Sequence, residues 1–222
     1  MGLTYLIAQK SRKERVMDYS RISRDQIPWP KKGQVLFSAA NDWYHNACIN
    51  LRYFNWDWYA TGYKYAGDVL VQHVIDTRNH RDTLVFPIVF NYRQYLEVRC
   101  KEIIMLGKLL SDEMPEFPHK HTLRVLWDTC RPIIAAHEPS ASETDLEAID
   151  EAIAEFDVVD PESYSFRYPV DRKGNLSIPA DLHVINLRQL RDGMDRLASF
   201  FDTVSMAFSH YLDCKAQMDN WF

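Results

Sequence analysis

The chain has 222 residues, 46% of them apolar and 26% charged, with a net charge of −5. That composition suits a globular domain with a sizeable core, and seven glycines and ten prolines are too few for a fibrous or low-complexity chain or for an all-β barrel. Four scattered cysteines without a CxxC pair argue against zinc sites and a disulfide framework, and no apolar run reaches the ~18 residues of a transmembrane helix.

The charge is uneven. Residues 1–40 carry eight Lys/Arg against three Asp/Glu, whereas residues 132–166 carry ten Asp/Glu and no Lys or Arg. A basic arm can neutralise nucleic-acid phosphates. It can equally lie on the acidic segment of its own chain or of a second copy, and the overall acidity favours a protein contact over broad DNA binding. The opening MGLTYLIAQKSRKER lacks a long apolar stretch after a charged region, so no secretory signal is expected and the expected compartment is the cytoplasm. Apolar residues in 1–38 keep no sustained period, and Pro28-Trp29-Pro30 before Lys31-Lys32-Gly33 reads as an extended or turning arm. The domain proper is then 39–222.

Trp43, Ala47, Leu51, Phe54, Trp58, Tyr65 and Val69 step by three, four or seven, which predicts a helix over 40–76 with this stripe on one face. Arg52, Trp56, Tyr59 and Tyr63 fall on the opposite face. Aromatics with arginine are the composition of interface hot spots, so this second face is the predicted protein interface, with base stacking as the alternative. Residues 78–82 form a polar connector. Pro87 suits the first turn of a helix over 86–110 with the stripe Val89, Tyr92, Leu96, Cys100, Ile103 and Leu110. Gly107 lies beside that stripe and could admit a close neighbour.

A third helix spans 121–134, with Leu123, Leu126, Trp127 and Cys130 inward and Pro132 kinking or ending it. Thr144-x-x-Glu147 has the capping-box pattern and opens a helix over 144–156. Residues 165–178 predict a small β-hairpin around Asp171–Asn175. Leu187, Leu190, Met194, Leu197, Phe201, Val204, Phe208 and Tyr211 alternate by three and four, the sharpest period in the chain, and predict a helix over 183–214. The expected architecture is an all-α helical bundle of four to five helices with a β-hairpin insert.

Arg93, Glu97 and Lys101 share one helix face at four-residue spacing. Arg93, Glu97, His121 and Arg167 are a candidate polar cluster. It could be a pocket for an anionic nucleotide or small molecule, or an Arg93–Glu97 pair could be buried to fix helix packing, with Lys101 in solvent. His119-Lys120-His121 has no third ligand at helical spacing, so neither a metal nor a cofactor is expected.

FPIVFNYRQYLEVRCKEII (86–104) and HTLRVLWDTCRPII (121–134) resemble the second and third helices of HEPN-type proteins, and DVVDPESYSFRYPVDRKGN (157–175) resembles an insert of uncharacterised bacterial relatives. The resemblance implies a helical, usually dimeric protein of a bacterial toxin–antitoxin or phage-defence system. Many such proteins are metal-independent ribonucleases with an Arg-x4-6-His motif near the start of the last long helix, and others are binding subunits. Here that helix opens with His183 before Arg188, so the motif is absent there, whereas Arg131 and His137 match its spacing elsewhere. Two alternatives follow. One is a subunit that binds its own copy or a protein partner in a homodimer or heteromeric complex away from membranes. The other is a ribonuclease acting on RNA, in which Arg131 grips the phosphate and His137 moves protons. A nucleotide or small-molecule sensor is a third.

Overall fold

The computed structural model describes residues 29–49 and 56–219. The chain divides into two compact units, Met1–Leu51 and Arg52–Phe222. Residues 1–28 of the expected basic arm, and Leu51, Arg52 and Phe54 of the expected first helix, lie outside the described residues.

In the first unit, residues 40–49 do not form the α-helix that their spacing predicts, and their only helical piece is a 3-10 turn at Trp43–His45. Asn46 closes a local loop instead. Its Nδ2 donates to the Ala40 carbonyl at 2.7 Å, and its Oδ1 accepts from the Ala40 N–H at 3.0 Å. The Asp42 carboxylate bonds His45 Nδ1 at 2.6 Å. Short Asn and Asp side chains offer the backbone such local partners and compete with the helix.

The second unit is a bundle of five described α-helices: α1 Trp56–Thr77, α2 Arg81–Leu110, α3 Leu123–His137, α4 Glu143–Val159 and α5 Leu187–Asp219. No described helix is long and apolar enough to cross a membrane. α2 is the centre and packs against α1, α3 and α5, while α4 packs on α3. Residues 95–104 of α2 are buried without a break, which puts neighbours on every side of it.

α1 turns inward a different face from the expected one. Ala60, Gly67, Val71 and Val74 are buried, and Trp56, Tyr63 and Leu70 pack against the core beside them. Trp58, Tyr65 and Val69 point outward, 57%, 68% and 47% exposed. Positions 56, 60, 63, 67, 71 and 74 keep the three-four period, but two of them hold Ala and Gly. The small residues admit close approach: a Cβ on Gly67 would lie 2.5 Å from Tyr92 Cε1.

The α1–α2 corner is three residues long, with Arg78 and His80 in the left-handed region (φ 57° and 60°). α2 therefore starts at Arg81 and carries Pro87 inside it. α3 likewise runs through Pro132 to His137, because burial of Ile134 continues its inward stripe and offsets one missing backbone bond. His137 is thus a helical residue. The capping box of α4 sits two residues earlier than expected: Ser142 Oγ accepts from the Asp145 N–H, and Asp145 Oδ2 accepts from the Ser142 N–H. On α5, Leu187, Met194, Leu197, Phe201, Val204 and Phe208 are buried as the spacing predicts.

No β-hairpin strand forms among the described residues. The insert has one antiparallel bridge, Val170 to Leu176. The Asp171 carboxylate accepts from the backbone N–H groups of Lys173 and Asn175 at 2.8 and 2.9 Å and shapes the turn, while the backbone pairing is limited to Asp171 N–H to the Asn175 carbonyl and Ser177 N–H to the Pro169 carbonyl.

Gly107 shows the same close approach as Gly67, with an added Cβ falling 2.0 Å from Ile133 Cγ2, whereas Gly62 has nothing within 4 Å. Gly67→Ala and Gly107→Ala should each lower stability by about 1–3 kcal/mol through overpacking. Gly62→Ala should be neutral or stabilise by up to about 1 kcal/mol. Urea unfolding of the three variants checks both directions.

Candidate functional site

The polar cluster forms around α2. Arg93 is fully buried, and its guanidinium reaches three segments at once. Nη1 donates to Glu97 Oε2 at 3.1 Å, Nε to the Asp160 carbonyl at 2.9 Å, and Nη2 to the carbonyls of His121 at 2.5 Å and Pro161 at 3.2 Å. Glu97 Oε1 accepts from Lys101 Nζ and bonds His121 Nδ1, both at 2.8 Å. Burial alone would raise the Glu97 carboxyl, but Lys101 and His121 outweigh it and hold the group below the usual range. Burial draws the Arg93 guanidinium down from its usual value, opposed by Asp160 and Glu97.

Three of the four expected cluster members therefore meet: Arg93, Glu97 and His121. Arg167 does not bond to them. It stacks over the Phe90 and Tyr168 rings, and its Nε donates to the Ser163 carbonyl. Lys101, expected in solvent, is buried with Glu97. Asp160 was not foreseen. Its Oδ1 accepts from the Tyr164 and Ser165 N–H groups at 2.6 and 2.8 Å and sets the turn after α4.

A second buried arginine on α2, also unforeseen, joins the opposite neighbours. Arg99 meets Glu102 at 2.5 Å, Asp57 of α1 at 2.9 Å and Asp202 of α5 at 2.8 Å. Burial would lower the Arg99 guanidinium, but Glu102, Asp57 and Asp202 together raise it. The α2 tyrosines repeat the pattern, Tyr92 donating to Asp68 of α1 and Tyr95 to Asp202, each at 2.8 Å. The sequence signal for all of this is one stretch of α2, residues 92–104, in which Arg93, Glu97, Arg99, Lys101 and Glu102 are interleaved with apolar residues and only the face of Leu96 and Ile103 is free of charge.

Arg131 and His137 face different partners. Arg131 turns to α4, with Nε to Asp150 Oδ2 at 2.9 Å and Nη2 to Glu143 Oε1 at 2.5 Å. Asp150 also accepts from Trp127 Nε1 at 2.6 Å and Arg124 Nη2 at 3.1 Å. Burial pushes its carboxyl up, but Trp127, Arg124 and Arg131 outweigh that and hold it low. His137 Nε2 instead bonds Ser111 Oγ at 3.0 Å, and the ring meets Phe208 edge-on. The two side chains expected to act together thus serve separate contacts, Arg131 towards α4 and His137 towards the end of α2 and α5.

The expected interface face is used internally. Trp56 meets the Phe117 ring edge-on at 5.1 Å, and both Trp56 and Tyr63 pack against the core. Tyr59 is half exposed. No group of three or more His, Cys, Asp or Glu among the described residues could hold a metal ion.

Open apolar surface lies elsewhere. A groove of about 720 Å³ runs between α4 and α5, floored by Ile149, Phe156, Leu190, Leu197 and Phe200, with Gly193 in its wall. A second, of about 810 Å³, lies where the insert and the start of α5 meet the α1–α2 corner, with Phe86 and Phe166 in its lining. Compared with protein-family models, with curated proteins and with solved structures, the chain matches none.

Arg93→Met should cost about 3–5 kcal/mol, because Glu97 would stay buried with part of its pairing gone. The Glu97 contribution has a defined acid limb. Its folded-state carboxyl is held low, so the stability it adds is present above the ordinary value of about 4.3 and is lost as pH falls through the lowered value. The stability difference between wild type and Glu97→Gln should shrink across that range, measured by urea midpoints from neutral to acid pH.

Proposed function

We propose that the chain is a HEPN-like subunit of a bacterial conflict or phage-defence system that acts through protein binding. The supporting observation is how the surface is divided. Arg93, Arg99 and Arg131 are committed to holding segments of the bundle together, while the apolar groove between α4 and α5 is left unfilled by the described residues. An open apolar groove between two helices is the form that accepts a helix or ridge from another protein. The resemblance of residues 86–104 and 121–134 to HEPN-type helices supplies the system in which such subunits work.

Two measurements test this. In EDTA, the purified chain should leave RNA intact. Cleavage that disappears on His137→Ala would replace the binding role with the ribonuclease one. Arg131→Ala should lower the melting temperature in either case, because it removes two of the ties between α3 and α4. A Cβ on Gly193 meets nothing within 4 Å, so Gly193→Phe should fill the groove and keep the fold. Light scattering should then show a loss of association relative to wild type. Unchanged association would place binding on another face.

A further inference from the structure

Two cavities meet along the insert. The corner cavity of about 810 Å³ and a second of about 500 Å³ both have Phe86, Phe166, Ile178 and Leu182 in their linings. Phe166 is buried with its ring centroid 6.4 Å from that of Phe86, and Phe86 itself stays 41% exposed. The two cavities differ in polarity. Arg81, His183 and Arg188 stand in the corner cavity, with Asp82 as its one carboxylate. Asp82 lies 3.6 Å from Arg81 Nε, whereas no carboxylate among the described residues pairs with His183 or Arg188. The smaller cavity is walled by Tyr168, Pro169, Leu176 and Pro179 and has no carboxylate in its lining. Its one charged side chain, Arg167, is taken up by the Ser163 carbonyl and by the Phe90 and Tyr168 rings.

We propose that the two cavities are one binding site for a single-chain amphiphile with an anionic head, of the kind a fatty acid presents. The carboxylate sits between Arg81 at the head of α2 and Arg188 at the head of α5, and the alkyl chain crosses Phe86 and Phe166 into the smaller cavity. A guanidinium matches a carboxylate with two parallel hydrogen bonds. Mostly apolar walls with a few polar groups gathered at one end are the usual form of a small-molecule site, and each of the two volumes falls in the usual range. A nucleotide fits less well. Its base and ribose would bring polar atoms into the smaller cavity, where Arg167 is already engaged and little else is left to meet them. The net charge of −5 repels an anion at long range, so a preference for an anionic head has to come from these local cations. The site draws neither on the floor of the α4–α5 groove nor on the protein-binding reading.

Isothermal titration calorimetry of the full chain with dodecanoate, kept below its micelle concentration, tests the proposal, with melting curves as the control for folding. Wild type should bind one dodecanoate per chain. Along the series octanoate, decanoate, dodecanoate the affinity should rise by up to about fourfold for each methylene buried, and butanoate should not bind measurably. Dodecyltrimethylammonium, the same tail on a cationic head, should bind about tenfold more weakly than dodecanoate. Arg188→Gln should weaken dodecanoate by about fivefold and leave dodecyltrimethylammonium no weaker, a split that a merely structural role for Arg188 would not produce. Ala180 is exposed in the lining of the smaller cavity, so Ala180→Phe should fill that cavity and bring dodecanoate down towards the affinity of octanoate with an unchanged melting temperature. Absence of dodecanoate binding, or binding indifferent to head charge and to both substitutions, overturns the proposal. Uptake of many molecules per chain with a falling melting temperature is detergent-like unfolding and overturns it as well. So does attachment to phosphatidylglycerol vesicles without binding of free dodecanoate, which would make the patch a membrane contact.

Discussion

Enclosing a central helix that carries buried charge towards several neighbours at once is the constraint from which the rest of this bundle follows. α2 buries Arg93, Glu97, Arg99, Lys101 and Glu102 within a short stretch of its length. Taking such groups out of water costs several kcal/mol per ion unless partners are supplied in good geometry. No single neighbour supplies them. Arg99 requires Asp57 from α1 and Asp202 from α5, and Arg93 requires carbonyls from the start of α3 and from the turn after α4. Each neighbour is held at the register where its oxygen meets a buried cation, so specificity here comes from charge as much as from shape.

The same arginine relates the outer face to the core. Arg93 holds the Asp160 and Pro161 carbonyls, and Asp160 orders the next turn through the Tyr164 and Ser165 N–H groups. Phe166 is buried immediately afterwards and touches Phe86 on the first turns of α2. The insert thus leaves α4 along a fixed course, and residues 184–186, which line both grooves, lie at the far end of it, where Asn186 Oδ1 accepts from the Arg188 and Gln189 N–H groups at the head of α5.

Apolar spacing made α2 through α5 legible, because their buried positions hold large residues that stand out at helical period. It misled at α1, where Trp58 and Tyr65 catch the eye while Ala60 and Gly67 do the inward packing. Small residues carry no hydrophobic signal, and what they provide is closeness to Tyr92, a property of the neighbour. The prolines misled for a related reason: Pro87 and Pro132 each remove one backbone bond, but the inward stripe resumes just beyond each, at Ile88 and Ile134, and carries the helix on. Asn46 worked the other way, capturing the Ala40 backbone where apolar spacing alone predicts a helix. Within the cluster, Arg93 and Glu97 were legible because they are four residues apart on one helix. Asp160 lies 67 residues from Arg93, and no local pattern announces a partner at that separation.

α4 is attached differently from the other helices. Its helix-to-helix packing is against α3, through Leu146, Ile149 and Ile153 and through one carboxylate, Asp150, that gathers Trp127, Arg124 and Arg131. Elements with fewer buried contacts open at lower free energy than the unit as a whole. α4 should therefore open more readily than α2, with its amides exchanging first. Because it also forms one wall of the open groove, the width of that groove is governed by the least firmly held helix in the bundle. The C-terminal end of α4 is nonetheless tied to α2, because Arg93 holds the Asp160 and Pro161 carbonyls, so a ridge entering the groove moves α4 about that anchored end.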